Sequence, residues 1–253
     1  MKEEILEYWN EQAKKYGDNQ LATMPDLISA ELEIIEMLKY LEEGKNILDI
    51  GCGNGFKDFE YCRKKKVNIK GVDYSQEMIK IAKETLNKAT GLIGELSFDS
   101  GNILKLDEKK QYDIVITDRC LINLENTEQQ IEGIDNIYDI LKENGLFLMM
   151  ECTKQGLKKI NEAREKIGLE EIKERWHNYY LDEDTILNHV KTKFKSVEIN
   201  NFNSTYFLIS RTINALVVKE GQQIDYNSDI NKFAAQLPHL GDYAPLKLFI
   251  MRK

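Results

Sequence analysis

The residues best placed to do chemistry in this chain of 253 begin at "LDIGCGNG", Leu48 to Gly55. Gly51, Gly53 and Gly55 alternate with other residues directly after a short apolar run. A glycine-rich turn lets backbone approach a bound nucleotide closely. Its spacing argues against two common ligands. A dinucleotide turn needs G-x-G-x-x-G, whose third glycine allows tight helix–strand packing. Phe56 stands at that third position. A phosphate-binding P-loop needs a following G-K-S/T, and none is present. Asp49, two residues before Gly51, adds a second constraint. A carboxylate there repels pyrophosphate and suits an ammonium or a sulfonium. Asp73 ends the next apolar run about twenty residues on, where an acid binds ribose hydroxyls. The ligand these groups describe is a nucleoside with a ribose, no phosphate and a cationic tail.

Such groups must be held at strand ends, and the flanking pattern supplies strands. Apolar runs at Asn46–Ile50, Val67–Val72, Glu95–Phe98, Tyr112–Thr117 and Leu146–Met150 alternate with helical periodicity at Phe56–Lys65, from Ser75 onward, and at Ile131–Leu141. This order predicts an α/β fold, Rossmann-like and doubly wound, on a mostly parallel seven-stranded sheet. Ahead of it, 1–44 predicts a helical cap. One helix runs from about Glu3 to Tyr16, and a second is capped by Asp26 and ended by Gly44. The span 45–151 is the cofactor core and 152–253 the acceptor side of a single domain. A helix at Lys154–Ile167 and a strand at Phe194–Asn201 open that last part. The stretch 203–244 is too long for a plain connection. It carries the helix-like runs "SRTINALVVKE" and "NSDINKFAAQL" and precedes a final strand, "LKLFIMRK". It reads as a helical lid inserted before the last strand.

From Asn46 to Glu151 the sequence resembles the class I SAM-dependent methyltransferases. "ILDIGCGNG" is similar to that family's glycine motif, and "IKGVDYSQEMIKIAKE" to its second segment. "DSGNILKL", "YDIVITDRCLINL" and "LKENGLFLMME" resemble the third, fourth and fifth. The resemblance implies that S-adenosylmethionine (SAM) is the methyl donor and S-adenosylhomocysteine (SAH) the product. It implies that Asp49, Gly51, Cys52 and Gly53 seat the amino-acid end, with Cys52 a small filler of the turn. Asp73 would bind the ribose. Tyr74, Met78 and Ile103 would flank the adenosine. Asn102 stands where the family usually has an acid for the adenine amine, and its amide oxygen can still accept. Asp118 closes this set, and Tyr16, with Tyr8 and Trp9, could fold over SAM.

The acceptor must come from the second half. "ERWHNYYLDED" combines aromatic surface with hydrogen-bonding groups, and His177 in it is the first candidate for a general base. Tyr180 and Arg119 join it as catalytic candidates, and His239, beside Tyr243, is a second candidate base. His189, within a helical pattern, reads as structural. Arg119, Arg164 and Arg211, if they converge, point to an anionic acceptor. Asn203, Ser204, Thr205 and Tyr206 would give its rim hydroxyls and amides, and Glu151 follows the fifth strand.

Composition narrows the partners. The formal net charge of -8 argues against a nucleic-acid substrate. The Pro-Pro-aromatic pattern of amino-methylating DNA enzymes is absent; "TDRC" stands there. Four cysteines with no C-x-x-C pair give no zinc cage, so no metal is expected. No signal segment or membrane-length apolar run is evident, so the expected location is cytoplasmic, with no membrane and no obligate protein partner. The later segments are similar to small-molecule methyltransferases of bacterial capsule and surface-polysaccharide pathways. That implies a sugar, nucleotide-linked sugar or phosphate or phosphoramidate acceptor, methylated at oxygen more than nitrogen. Protein or RNA methylation, and a non-catalytic SAM-binding regulator, are the rival readings.

Overall fold

The computed structural model describes residues 2–106, 112–218 and 224–253. Helix α1 (Glu3–Tyr16) starts with Glu3 and Glu4 and ends with Lys14 and Lys15, the polarity that offsets the helix dipole. It buries Ile5 and Ala13 and ends at Gly17, whose φ of 57° is left-handed. Helix α2 (Leu27–Leu38) is capped by Asp26, whose carboxylate accepts from the Ser29 N–H. It stops at Leu38, not at Gly44 as the sequence suggested. Gly44 instead makes the turn into the sheet, with φ 75° and its N–H bonded to Lys66 O.

The strands are β1 (Asn46–Ile50), β2 (Asn68–Asp73), β3 (Glu95–Ser100), β4 (Tyr112–Asp118), β5 (Leu141–Cys152), β6 (Ser196–Asn200) and β7 (Leu246–Arg252). They form one seven-stranded sheet in the order β3-β2-β1-β4-β5-β7-β6. Strands β1 to β5 pair in parallel, and β7 runs antiparallel between β5 and β6. The expected fold class is the one observed. Helices α3 (Phe56–Lys64), α4 (Gln76–Leu86) and α5 (Thr127–Ile140) make the crossovers, so both sheet faces are covered. Leu48, Val115, Phe147, Phe249 and Met251 are fully buried.

Strand β5 starts five residues before the expected Leu146. Leu141 pairs with Tyr112, and the register then shifts between Tyr112 and Ile114 before regular pairing resumes at Leu146. Asn144 takes φ 62°, the left-handed conformation asparagine tolerates. After β5 come α6 (Lys154–Glu165) and α7 (Glu183–Val190). The insertion between β6 and β7 holds α8 (Ser204–Arg211), α9 (Ile213–Leu216) and α10 (Asp229–Ala234). "SRTINALVVKE" is thus two helices, broken at Thr212; Lys219 and Glu220 at its end lie outside the described residues. Among the described residues no helix is long and apolar enough to cross a membrane.

Candidate active site

Order reverses where β1 lies between β2 and β4, and the C-terminal ends of these strands open a crevice there. A cavity of about 340 Å³ fills it. The glycine loop forms its floor. Gly51 has φ 83°, and a Cβ on it would lie 2.7 Å from the Cys120 Cβ after β4. Gly53 has φ 56°, and its Cβ would meet Thr23 at 2.9 Å. Both positions need glycine for conformation and for room.

Asp73 sits at the end of β2 and braces this loop. Its Oδ2 accepts from the Gly53 N–H at 2.9 Å and its Oδ1 from the Ser75 N–H at 2.7 Å. Ser75 caps α4 by accepting from the Met78 N–H. Asn54 ties the loop to the N-terminal cap, its Nδ2 donating to Gly17 O and Asn19 O. Helix α1 is therefore a roof. Ser75 Oγ donates to Asn10 Oδ1 at 2.6 Å, and Trp9 Nε1 to Asn123 Oδ1 at 3.0 Å, so the helix spans from α4 to the end of β4.

All but two of the cofactor residues expected from sequence line this cavity; Tyr8 stacks on His177 instead. Asp49, Gly51, Cys52, Gly53 and Asp118 lie on its floor side. Asp73, Tyr74, Met78, Asn102 and Ile103 line it toward β2 and β3. Tyr16 is the other exception: it packs with Ala13, Ala22 and Met78 behind the wall. Trp9, two turns earlier, takes the lining position instead. Asn102 Oδ1 accepts from the Leu104 N–H, which leaves its second lone pair for a ligand amine. Cys52 is held as a thiol, because burial and the acids around it push it well above the usual range.

Two features stand out at the cavity floor, the first at the acid that sequence assigned to a cation and the second unforeseen. Asp49 is 5% exposed and its Oδ1 has no hydrogen-bond partner. Burial pushes its carboxyl up to about 7. A buried, unpaired carboxylate is costly unless a cation meets it. The second feature is a four-charge cluster. Glu33, fully buried on α2, accepts from Lys57 Nζ at 2.5 Å and from the Arg119 guanidinium. Asp118 takes the same two cations. Although burial opposes it, the two cations hold the Glu33 carboxyl down at about 2. The signal in the sequence was a glutamate on the apolar face of α2. Arg119 has φ 54°, an uncommon conformation for a non-glycine, so this corner of the site is strained into place.

The acceptor side differs from expectation in several places. His177 lines the cavity, but its ring is stacked on Tyr8 at 4.5 Å, with Trp9 and Trp176 edge-on. Burial, reinforced by nearby Arg175, pushes its imidazole down to about 4, so it is neutral at pH 7 and a weak base. Its Nδ1 has no partner. Tyr180 also lines the cavity, and burial keeps its phenol protonated. His239 is exposed in the loop after α10 and does not line it. His189 pairs with Asp135 at 2.7 Å, the structural role expected of it. Glu151 is fully buried, accepts from the Cys120, Leu121 and Ile122 N–H groups, and so shapes the β4–α5 loop from behind.

The three arginines do not all converge. Arg119 and Arg211 line the cavity and Arg164 does not. Arg164 donates to Glu170 O and Arg211 O, clamping the 170s loop to the lid. Arg211 lies between the Phe207 and Tyr226 rings, 4.7 and 4.4 Å from their centroids, and pairs with buried Asp26 at 2.7 Å. Ser204, Thr205 and Tyr206 do not offer hydroxyls to a rim. Ser204 and Thr205 bond Leu240 O and Pro238 O, and Tyr206 donates to Asp26. Asn203 is the polar group left over: it lines the cavity, is 1% exposed, and neither side-chain polar atom has a partner. Lys173 and Arg175 also line it, with no ion pair among the described residues.

Comparison with known proteins supports the same fold. The family described as "Methyltransferase domain" matches residues 41–204. A norajmaline N-methyltransferase of Rauvolfia serpentina is 36% identical over 88 residues, 34% of this chain and 30% of that protein. A ribosomal protein L11 methyltransferase of Dictyoglomus turgidum is 32% identical over 145 residues, 56% of this chain and 45% of that protein. The chain thus spans less than half the length of these curated relatives. Among solved structures, magnesium protoporphyrin IX methyltransferase of Synechocystis PCC 6803 with bound SAH superposes with a TM-score of 0.61. It is 13% identical, and 98% of each chain is covered.

Proposed function

We propose, from the premise that this chain belongs to the methyltransferase domain family matched over residues 41–204, that it transfers a methyl group from SAM to a small molecule. The observation that carries the reading is the unpartnered, buried Asp49 Oδ1 on a glycine floor, with Asp73 beside it at the end of β2. An orphan carboxylate fits the cationic amino-acid end of SAM, and Asp73 keeps lone pairs free for ribose hydroxyls. Met78 and Ile103 would flank the adenine, with Asn102 Oδ1 accepting from its amine. The sulfonium of SAM makes its methyl carbon electrophilic. The chain's own work is then to exclude water, align the acceptor and hold its polar groups.

The roof of α1 and the lid narrow the site to a partly open cavity, whose volume of about 340 Å³ suits a small acceptor. Its far wall is aromatic and apolar, with Trp9, Phe207 and Tyr226 among its members. Asn203, Lys173 and Arg175 add polar and cationic groups to it. The acceptor these groups favour has a ring or apolar face and one anionic group, a phosphate-bearing sugar or nucleotide-linked sugar being the reading carried from sequence. Methylation at oxygen and a place in surface-polysaccharide synthesis belong to that same reading. Neutral His177 would accept or donate one hydrogen bond to the acceptor, not carry charge.

The L11 relative favours a second reading, a macromolecular acceptor. The test separates them. Purified protein is incubated with methyl-labelled SAM and a bacterial lysate split into small-molecule, protein and RNA fractions. Label is expected in the small-molecule fraction, on species retained by anion exchange. Label in protein or RNA alone overturns the small-molecule reading.

A further inference from the structure

Beneath the orphan oxygen of Asp49 lies a second buried acid that the site does not otherwise use. Asp58, in the first turn of α3, is 1% exposed. A Cβ on Gly71 would sit 2.8 Å from its Oδ2, so Asp58 reaches onto the sheet through the gap that glycine leaves. Gly71 is the register partner of Asp49 on the neighbouring strand. Among the described residues no N–H or hydroxyl donates to either Asp58 oxygen or to Asp49 Oδ1. Two ionised carboxylates buried together without donors would repel each other and lose their hydration. The hydrogen bond open to them is from one acid to the other, and it needs a proton.

Which acid keeps that proton follows from their surroundings. Burial and the neighbouring Asp49 charge hold the Asp58 proton far above the carboxylate range, while the Asp58 hydrogen bond favours an ionised Asp49. Asp49 lines the cavity, where a ligand cation can meet its charge, and Asp58 does not, so Asp58 is the donor and Asp49 the acceptor. Other groups act on the pair. Lys57 on α3 favours ionised Asp49, and Asp118 on β4 and Asp73 on β2 oppose it. Cys52, Cys120 and Tyr61 nearby stay protonated.

We propose that Asp58 is a positioning residue for the cofactor: it keeps its proton, hydrogen-bonds Asp49 through it, and so readies Asp49 to lose its own proton to solvent when the ammonium of SAM or SAH arrives. This rests on the reading of the cavity as a SAM seat. The balance is simple. The Asp49 carboxylic acid of the free protein becomes a carboxylate facing the ligand cation, and one proton enters the solvent.

The pH window follows from burial, which pushes the Asp49 carboxyl to about 7 in the free protein. A cation beside it favours the anion and lowers that value. Binding therefore releases about one proton near pH 6, about half near pH 7 and almost none near pH 8.5. Affinity rises with pH, by up to about tenfold per unit below pH 7, then levels off.

The experiment is calorimetric titration of the full chain with SAH at those three pH values. Each is run in phosphate and in an amine buffer, whose different ionisation heats report the protons released. 5′-Methylthioadenosine, which lacks the amino-acid end, is the second probe and is expected to release none. Proton release with it would assign the titrating group to Asp73 at the ribose and overturn the proposal. Asp58→Ala should weaken SAH about tenfold near pH 7, with recovery near pH 8.5, and Asp58→Asn, whose amide still donates, should restore binding. SAH binding without proton release at pH 6, or wild-type affinity in Asp58→Ala at every pH, overturns the proposal and leaves the SAM reading standing. The wild-type measurement decides the case even if Asp58→Ala does not fold. No SAH binding at any pH overturns the SAM reading and this one with it.

Discussion

Glu33 and Asp49 are both buried carboxylates, and their neighbours send them in opposite directions. Burial would raise Glu33, but Lys57 and Arg119 outweigh it and hold the group at about 2. Its folded value is below its unfolded one, so its contribution to stability is present above pH 4.5 and lost as pH falls through about 2. Asp49, pushed from 3.8 to about 7, has the opposite sign. The free protein should lose stability as pH rises through that window, because the native state holds a proton the unfolded chain has released. Thermal unfolding from about pH 5 to 8 checks this: SAH should remove the Asp49 part of the fall, while Glu151, pushed up to about 8 by burial behind the β4–α5 loop, keeps its part. Glu33→Gln leaves two cations short of a partner and should cost about 3 kcal/mol in urea unfolding. His177 should stay neutral in an NMR titration down to about pH 5, with the resonance assigned by its loss in His177→Phe.

At the scale of elements, two joints hold the roof and the lid on the sheet. Asp26 is the lid joint: it caps α2, accepts from Tyr206 and pairs with Arg211. Asp26→Ala should destabilise the protein by about 3 kcal/mol, since it strands a largely covered guanidinium as well as removing a buried cap. Asn54 is the roof joint. Asn54→Ala should leave the circular dichroism of the sheet unchanged and speed SAH release, measured by stopped flow, because α1 loses its tie to the glycine loop. The parallel strands and α1 were readable in sequence, because continuous apolar runs and helical periodicity each reflect burial that a local pattern records. Where α2 ends was not, since Lys39 to Leu41 continue the apolar spacing while the backbone has already turned toward β1. Nor was the break at Thr212, where no glycine or proline marks the end of α8.

Across the whole molecule, the cofactor half of the site was legible and the acceptor half only in part. Gly51, Gly53, Asp49 and Asp73 lie close in sequence to the strand ends that place them, so their spacing carries their geometry. The acceptor wall is assembled from α1, the loop of the 170s and the lid, segments far apart in the chain. Sequence could not tell that Ser204, Thr205 and Tyr206 spend their hydroxyls on the lid itself, or that Arg164 clamps two segments behind the wall. Nor could it tell that Asp58 lies against Gly71, which depends on the α3 crossover. The central claim is that this cavity seats SAM with Asp73 at the ribose. Calorimetric titration of the purified chain with SAH, set beside Asp73→Ala, tests it most directly. Saturable binding of one SAH per chain, weakened at least about tenfold in Asp73→Ala, is the predicted result. No saturable heat, or an affinity untouched by Asp73→Ala, would contradict it.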